Sequence, residues 1–126
     1  NPSLGHITTF GGHPVIAAAG VATLKTIHSS TLILDTLTKE QLLRDQLKHP
    51  IIKEIRGCGL MLAAIVETPK LAAEIIHRCL DKGLILFFLL FEGRAIRITP
   101  PLTITEKEII EGCKIIKEVI NELTTK

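Results

Sequence analysis

Aromatic residues are scarce in this sequence. It contains no tryptophan and no tyrosine, and phenylalanine alone supplies the 3% of aromatic residues among its 126 positions. Proteins that bind single-stranded nucleic acids stack the bases on exposed aromatic side chains. Basic residues are also evenly spread, since 15 lysines and arginines and 13 acidic residues give a net charge of +2 without a basic run. We therefore expect no nucleic-acid partner, because such proteins carry a concentrated basic face.

Cysteines and long apolar runs are limited as well. The three cysteines, Cys58, Cys79 and Cys113, lie far apart without a CxxC pair, a spacing that favours neither a disulfide framework nor a zinc site. The five histidines show no pairing on one helix face, and we expect no bound metal. The longest apolar run, residues 84–91, is far shorter than the ~20 residues of a membrane helix. The sequence thus predicts a cytoplasmic protein with reduced thiols and no membrane partner.

Aliphatic residues are abundant, and their spacing predicts the first helices. Residues 1–12 carry three glycines and are expected to form a loop. Pro14 suits the first position of a helix, and the alanine-rich residues 15–27 are apolar on nearly every side, which is typical of a helix covered by several partners. The residues from Thr38 to Gln41 resemble a capping box before a further helical stretch that ends near Pro50. Residues 14–48 could form one helix or two.

The rest of the sequence alternates between strand and helix patterns. Strands are predicted for residues 51–57, 60–66, 84–91 and 95–99, with the second one central, the third one buried and a turn at Glu92-Gly93. Helices are predicted from Pro69 to Gly83, and from a capping box at Thr105–Glu108 to about Leu123. This order predicts an α+β fold, in which a two-layer small domain with helices on a mainly antiparallel sheet follows the long alanine-rich helix.

Two segments are candidates for binding anions. Thr8 and Thr9 precede two glycines and a helix start, where hydroxyls and backbone N–H groups can bind a phosphate; a tight turn with a threonine as helix cap fits the same residues. Arg97 precedes a stiff double proline at 100–101, which could hold its guanidinium for a carboxylate; a solvated arginine on an edge strand is the alternative. The glycines of segment 57–59 resemble part of a dinucleotide loop, but a tight connection fits them better.

Three motifs follow one another along the chain. They are HITTFGGHP at His6–Pro14, EIRGCGLML at Glu54–Leu62 and RITPPLTITEKEI at Arg97–Ile109. In this order they resemble H-x-T-T-F-G-G-N-P, E-V-R-G-x-G-L-M-L and R-x-x-P-P-L-x-I-T-x-x-E-I of the class III aminotransferases that act on acetylornithine, ornithine and 4-aminobutyrate. The resemblance covers essentially the whole chain. It departs at His13, where the family usually has Asn, and at Ile7, where Gly is common.

The resemblance implies the C-terminal part of a fold-type I transferase that depends on pyridoxal 5'-phosphate. Residues 1–30 would be a loop and interdomain helix at the edge of the large, cofactor-binding domain, and residues 31–126 would be the small domain. The parent would move an amino group from an amino acid or ω-amine to a 2-oxo acid, as a homodimer with active sites at the subunit interface. Thr9, with Thr8 as a second candidate, would bind the cofactor phosphate of the neighbouring subunit, and Arg97 would bind the substrate carboxylate.

The resemblance also implies that the chemistry needs residues outside these 126 positions. The family's Schiff-base lysine lies upstream of the matching segment, and none of the lysines here occupies its position. We therefore expect no catalytic residue in this chain, and no transamination by it alone, because the covalent lysine is needed for the cofactor chemistry. Two other functions fit the residues: a stand-alone domain that binds small anions through residues 8–12, and a dimerisation module based on the apolar helix.

Overall fold

The computed structural model describes residues 8–124, which contain four helices and four strands. Residues 1–7 of the predicted loop, including His6 and Ile7, lie outside the described part. The chain divides into two compact units, Asn1–Ile33 and Leu34–Lys126.

The first unit contains helix α1, Pro14–His28. Pro14 occupies the start of the helix, and the His13 side chain accepts a hydrogen bond from the backbone N–H of Val15. At the other end, the N–H of Ser29 donates to the carbonyl of Lys25 at 3.0 Å. The predicted helix is thus confirmed, and none of its fifteen residues is buried in the described chain. Its apolar side chains, including Val15, Ile16, Val21 and Leu24, are exposed.

A second helix, α2, spans Asp35–Gln46, so residues 14–48 form two helices rather than one. The predicted capping box at Thr38–Gln41 is wrong, because Thr38 lies inside α2. Leu34 precedes the helix and provides no side-chain cap. The carboxylate of Asp35 in the first turn supplies instead a favourable charge at the positive end of the helix dipole.

The second unit is built on a four-stranded sheet. Its strands are β1 Glu54–Cys58, β2 Met61–Ile65, β3 Phe87–Leu89 and β4 Glu92–Ile98. All neighbouring strands are antiparallel, and their order is β1-β2-β4-β3. The predicted α+β class with a mainly antiparallel sheet is confirmed, and so is the interior position of the apolar strand β2.

The third strand differs from its prediction. Only residues Phe87–Leu89 of the predicted strand 84–91 are in the sheet, with an irregularity between Phe88 and Leu89. The strand lies at the edge of the sheet, and Ile85, Phe87 and Phe88 are exposed. The turn occupies residues 90–91 and β4 already begins at Glu92, so the turn predicted at Glu92-Gly93 is also wrong. An apolar run indicates a strand, but burial depends on which elements cover it.

Two amphipathic helices complete the second unit. Helix α3 spans Pro69–Asp81 and α4 spans Glu106–Thr124, as the periodicity predicts. The capping box ahead of α4 is confirmed, because the Thr105 hydroxyl accepts a hydrogen bond from the N–H of Glu108 at 3.3 Å, and the Glu108 carboxylate accepts one from the N–H of Thr105 at 2.8 Å.

The core of this unit lies between the helices and one face of the sheet. Along β2 and β4, alternate side chains point to this face and are buried against residues of α2, α3 and α4. The members of the core include Leu43, Leu47, Leu62, Ala64, Ala72, Ile75, Cys79, Ile96, Ile98, Ile109, Cys113, Ile116, Val119 and Ile120. Because successive strand residues alternate in direction, the intervening side chains of β2 and β4, including Arg97, point to the opposite face.

Candidate functional site

Thr8 and Thr9 lie in a turn that leads into α1. The N–H of Gly11 donates to the carbonyl of Thr8 at 3.3 Å, and the N–H of His13 donates to the carbonyl of Phe10 at 3.1 Å. A Cβ atom on Gly11 would overlap the side-chain methyl group of Thr8, so a larger residue there would require the Thr8 side chain to move. His13, rather than a threonine, caps α1, and its Nδ1 serves as the acceptor that an asparagine cap would otherwise supply.

This turn has the features of a small-anion site. Both threonines are exposed, and they precede a helix of fifteen residues without an acidic side chain in its first turn. The positive end of the helix dipole and the nearby hydroxyls favour an anion such as a phosphate. Thr8 and Thr9 belong to the first unit, whereas Arg97 belongs to the second.

Arg97 lies in the middle of a row of side chains that crosses the sheet. The register pairs Arg56 with Ala63, Ala63 with Arg97, and Arg97 with Phe87. Residues paired in this way share one face of a sheet. Because β4 is an interior strand, Arg97 is not a solvated edge-strand arginine, and its residue is half-buried.

Arg97 differs from the other arginines in that no described carboxylate forms an ion pair with it. Arg44, Arg56, Arg78 and Arg94 each form an ion pair of 2.8–2.9 Å with a glutamate, whereas Arg97 forms none with the residues that the structure describes. Its Nε atom is also buried without a hydrogen-bond partner within residues 8–124. A buried donor on a charged group is costly when it has no acceptor. This arrangement suits a carboxylate that is supplied from outside the described residues.

The other two arginines of the sheet, Arg56 and Arg94, are each paired with a glutamate. Hydrogen bonds from the Arg94 side chain and backbone lower the pKa of Glu92 to about 2, and a hydrogen bond from Arg56 lowers the pKa of Glu54. Both carboxylates therefore stay ionised near neutral pH and balance the two arginines. The positive charge of Arg97 remains available for an external anion.

A cavity of about 370 Å³ borders Arg97 at the end of β4. It is lined mainly by aliphatic side chains between α4, residues 84–87 and residues 97–101, and only Arg97, Thr99 and Glu108 contribute polar side chains. The Glu108 carboxylate is already engaged by Thr105 in the capping box. A carboxylate inside this cavity would find few polar partners besides Arg97, and a buried charge requires such partners.

The β1–β2 connection is held by an ion pair that the sequence did not reveal. Arg44 of α2 donates to the carbonyl of Ile55 at 2.7 Å and to that of Gly57 at 2.9 Å, while Glu40 accepts from Arg44 at 2.8 Å and from the N–H of Gly59. The four-residue spacing of Glu40 and Arg44 is one at which helical ion pairs form, but their backbone partners are distant in sequence and no local pattern indicates them. The predicted tight connection at residues 57–59 is confirmed, since Gly57 and Gly59 both have positive φ.

Thiols, an apolar helix and side chains of metal-binding types also occur among the described residues. Among residues 8–124, no group of three or more His, Cys, Asp or Glu side chains could hold a metal ion. Cys58 is exposed, whereas Cys79 and Cys113 are buried in the core. No helix in the part of the chain that the structure describes is both long and apolar enough to cross a membrane.

Comparisons with known proteins give a consistent result. A family model described as aminotransferase class-III matches residues 1–120. The acetylornithine aminotransferase of Caldanaerobacter subterraneus subsp. tengcongensis is 36% identical over 123 residues, which are 94% of this chain and 30% of that protein. The 4-aminobutyrate aminotransferase of Escherichia coli is 34% identical over 127 residues, with 90% and 30% coverage. The chain thus spans about 30% of the length of these relatives.

Solved structures agree with these sequence matches. A thermostable omega transaminase from Pseudomonas jessenii superposes with a TM-score of 0.82 at 29% identity, covering 98% of this chain and 30% of that one. The N-acetylornithine aminotransferase of Stenotrophomonas maltophilia superposes with a TM-score of 0.79 at 26% identity, covering 89% of this chain and 32% of that one.

Proposed function

The chain belongs to the class-III aminotransferase family, and we propose that it works as the C-terminal part of an enzyme that moves an amino group from an amino acid or ω-amine to a 2-oxo acid. The match of the family model over residues 1–120 carries this proposal. In the parent enzyme, residues 1–30 would belong to the edge of the cofactor domain and residues 31–126 would form the small domain. The relatives named above make acetylornithine and 4-aminobutyrate the first donors to test.

Arg97 is proposed to bind the substrate carboxylate. The proposal is supported by the buried Nε without a described partner and by the ion pairs of the described residues, none of which includes Arg97. A guanidinium offers two parallel N–H groups that match the two oxygens of a carboxylate. The interior strand and the prolines that follow it limit how far the arginine can move, so the bound substrate would be held in one orientation.

Thr9, with Thr8, is proposed to bind the phosphate of pyridoxal 5'-phosphate held by the neighbouring subunit of a homodimer. When bound, this cofactor supplies the electron sink for the reaction. The exposed hydroxyls ahead of the α1 N-terminus fit a phosphate. The exposed apolar side chains of α1 are consistent with a helix that is covered by other parts of such a dimer. We propose a cytoplasmic location for the enzyme.

The 126-residue chain alone is proposed to be inactive. Its lysines do not occupy the position of the family's Schiff-base lysine, and the cofactor needs that covalent attachment. Absorbance titration of the isolated chain with pyridoxal 5'-phosphate tests this directly. Stoichiometric covalent attachment to a lysine of this chain would contradict the proposal.

The roles of Arg97 and Thr9 can be separated in the parent enzyme. Arg97→Ala removes a charge-assisted hydrogen bond of about 1.5–3 kcal/mol, so the KM for the amino donor should rise about 10- to 150-fold, with little change in the Kd of the cofactor. Thr9→Val keeps the shape but removes the hydroxyl, and it should weaken cofactor binding instead. Equal effects of Arg97→Ala on both constants would contradict the assignment.

The exposed Thr8–Thr9 turn also favours a second candidate, a stand-alone domain that binds small anions. Calorimetric titration of the 126-residue chain with inorganic phosphate distinguishes the two functions. Binding in the micromolar range that Thr9→Val abolishes would support the second candidate. Its absence, together with cofactor-dependent activity of the parent, would support the aminotransferase.

A further inference from the structure

The side chain of Arg97 has a large aromatic neighbour on one side and a small aliphatic neighbour on the other. On one side its cross-strand partner is Phe87 of β3, and on the other side it is Ala63 of β2. The guanidinium carbon lies 5.0 Å from the centre of the Phe87 ring. The guanidinium therefore lies over the aromatic ring on the β3 side, whereas its neighbour on the β2 side is the small side chain of Ala63.

We propose that Phe87 is a positioning residue, whose ring holds the Arg97 guanidinium on the β3 side of the row and so orients it for a carboxylate. This inference rests on the proposed function of Arg97. An aromatic ring attracts a guanidinium through its quadrupole, and arginine stacks on such a ring without losing the N–H groups in its plane. An arginine held over the ring in this way can still bind a carboxylate through those N–H groups.

Positioning matters because Arg97 has no other described partner to hold it. The remaining arginines are oriented by glutamates, but a glutamate at this site would compete with the substrate carboxylate. An aromatic ring orients the cation without neutralising it. Arginine that is fixed before binding loses less conformational entropy when the carboxylate binds.

Phe88 provides a matched control for Phe87. It is the next residue of the same strand, it is exposed to a similar extent, 57% against 50%, and it pairs with Ile96 rather than with Arg97. Alternation along the strand directs Phe88 to the opposite face. Loss of the Phe88 ring should therefore destabilise the β3–β4 hairpin to the same extent as loss of the Phe87 ring, but it should leave the position of the Arg97 side chain unchanged.

The decisive experiment is a double-mutant cycle in the parent aminotransferase. Phe87→Leu should raise the KM for the amino donor about two- to fivefold, with kcat nearly unchanged. Phe88→Leu should leave the KM unchanged. Phe87→Tyr, which keeps an aromatic ring, should have the KM of the unsubstituted enzyme. In the Arg97→Ala background, Phe87→Leu should have no further effect. A second readout is the NMR chemical shift of the Arg97 Nε–H in the 126-residue chain. The ring current of Phe87 should displace this shift from the value of a free arginine, and Phe87→Leu should bring it back toward that value.

The outcomes distinguish the inference from the proposed function. If Arg97→Ala leaves the KM unchanged, the role of Arg97 is wrong and the positioning role is overturned with it. If Arg97→Ala raises the KM but Phe87→Leu behaves like Phe88→Leu, only the positioning role is overturned. An equal effect of Phe87→Leu with and without Arg97 would also overturn it, because the ring would then act independently of the arginine.

Discussion

Replacement of Gly57 by alanine tests how the β1–β2 connection is built. Gly57 has a φ of 113°, and an added Cβ would overlap the carbonyl oxygen of Met61 and approach the Cα of Leu62 to 3.0 Å. Both obstacles are backbone atoms of the neighbouring strand, so they cannot rotate away as a side chain could. The carbonyl of Gly57 also accepts a hydrogen bond from Arg44 at 2.9 Å, so a shift of this backbone would disturb the contact with α2.

The expected cost of Gly57→Ala combines two effects. A non-glycine residue in this region of φ costs about 1–3 kcal/mol, and a shift that weakens the Arg44 hydrogen bond costs about 1–2 kcal/mol more. The sum, roughly 2–5 kcal/mol, is a large part of the about 5–15 kcal/mol that stabilises a typical domain. We therefore expect Gly57→Ala to be among the most destabilising glycine replacements in this chain.

Urea denaturation followed by circular dichroism measures this difference in the free energy of unfolding. Gly83→Ala is the matched control, because Gly83 also has a positive φ, 83°, but an added Cβ meets no atom within 4 Å. The control should lose only about 1–2 kcal/mol. Equal losses in the two variants would refute the reasoning, because neither the overlap with β2 nor the shift away from Arg44 would then add to the cost of the positive φ.

Three further predictions concern the second unit. Gly112→Ala should raise the free energy of unfolding by about 1 kcal/mol in urea denaturation, since the residue lies inside α4 and alanine favours helices; a loss of stability would contradict this. Cys58 should react rapidly with Ellman's reagent. Burial raises the pKa of Cys79 and Cys113 to about 11, so these two thiols should react only after unfolding. Rapid reaction of all three thiols in the folded protein would contradict the burial of Cys79 and Cys113. Hydrogen bonds from the backbone N–H of Gly59 and from Arg44 lower the pKa of Glu40 below its usual 4.5. The ionised Glu40 carboxylate therefore stabilises the folded chain fully at neutral pH, and this contribution is lost as the pH falls below about 4.5. Glu40→Gln should accordingly lose less stability between about pH 6 and about pH 3 in the same assay, and an identical acid transition in both chains would count against it.

Local sequence patterns were sufficient for the elements whose signals lie within a few residues. Pro14 and Pro69 begin their helices, and Thr105 with Glu108 forms its capping box. These features depend on backbone groups within one helical turn, which the sequence itself brings together. The apolar periodicity of α3 and α4 likewise identifies the faces that must be buried. The class of the fold follows from the order of such elements.

Patterns failed where another element decided the outcome. The run 84–91 is apolar enough for a buried strand, yet only Phe87–Leu89 pairs, at the sheet edge. Thr38 and Gln41 match a capping box by spacing, but α2 begins at Asp35 and includes both. A capping motif can be satisfied only if the backbone leaves the helix at that residue, and its spacing alone does not ensure this.

The sequence by itself was sufficient to propose which residues carry the function, because the motifs around Thr9 and Arg97 are recognisable without coordinates. Only the tertiary structure decided what surrounds Arg97. The antiparallel register places Ala63 on one side and Phe87 on the other, although they lie 34 and 10 residues away in the sequence. The same register leaves Arg97 without an ion-pair partner in the described chain while the other arginines are paired. Such pairing depends on how distant strands align, and no short sequence pattern specifies that alignment.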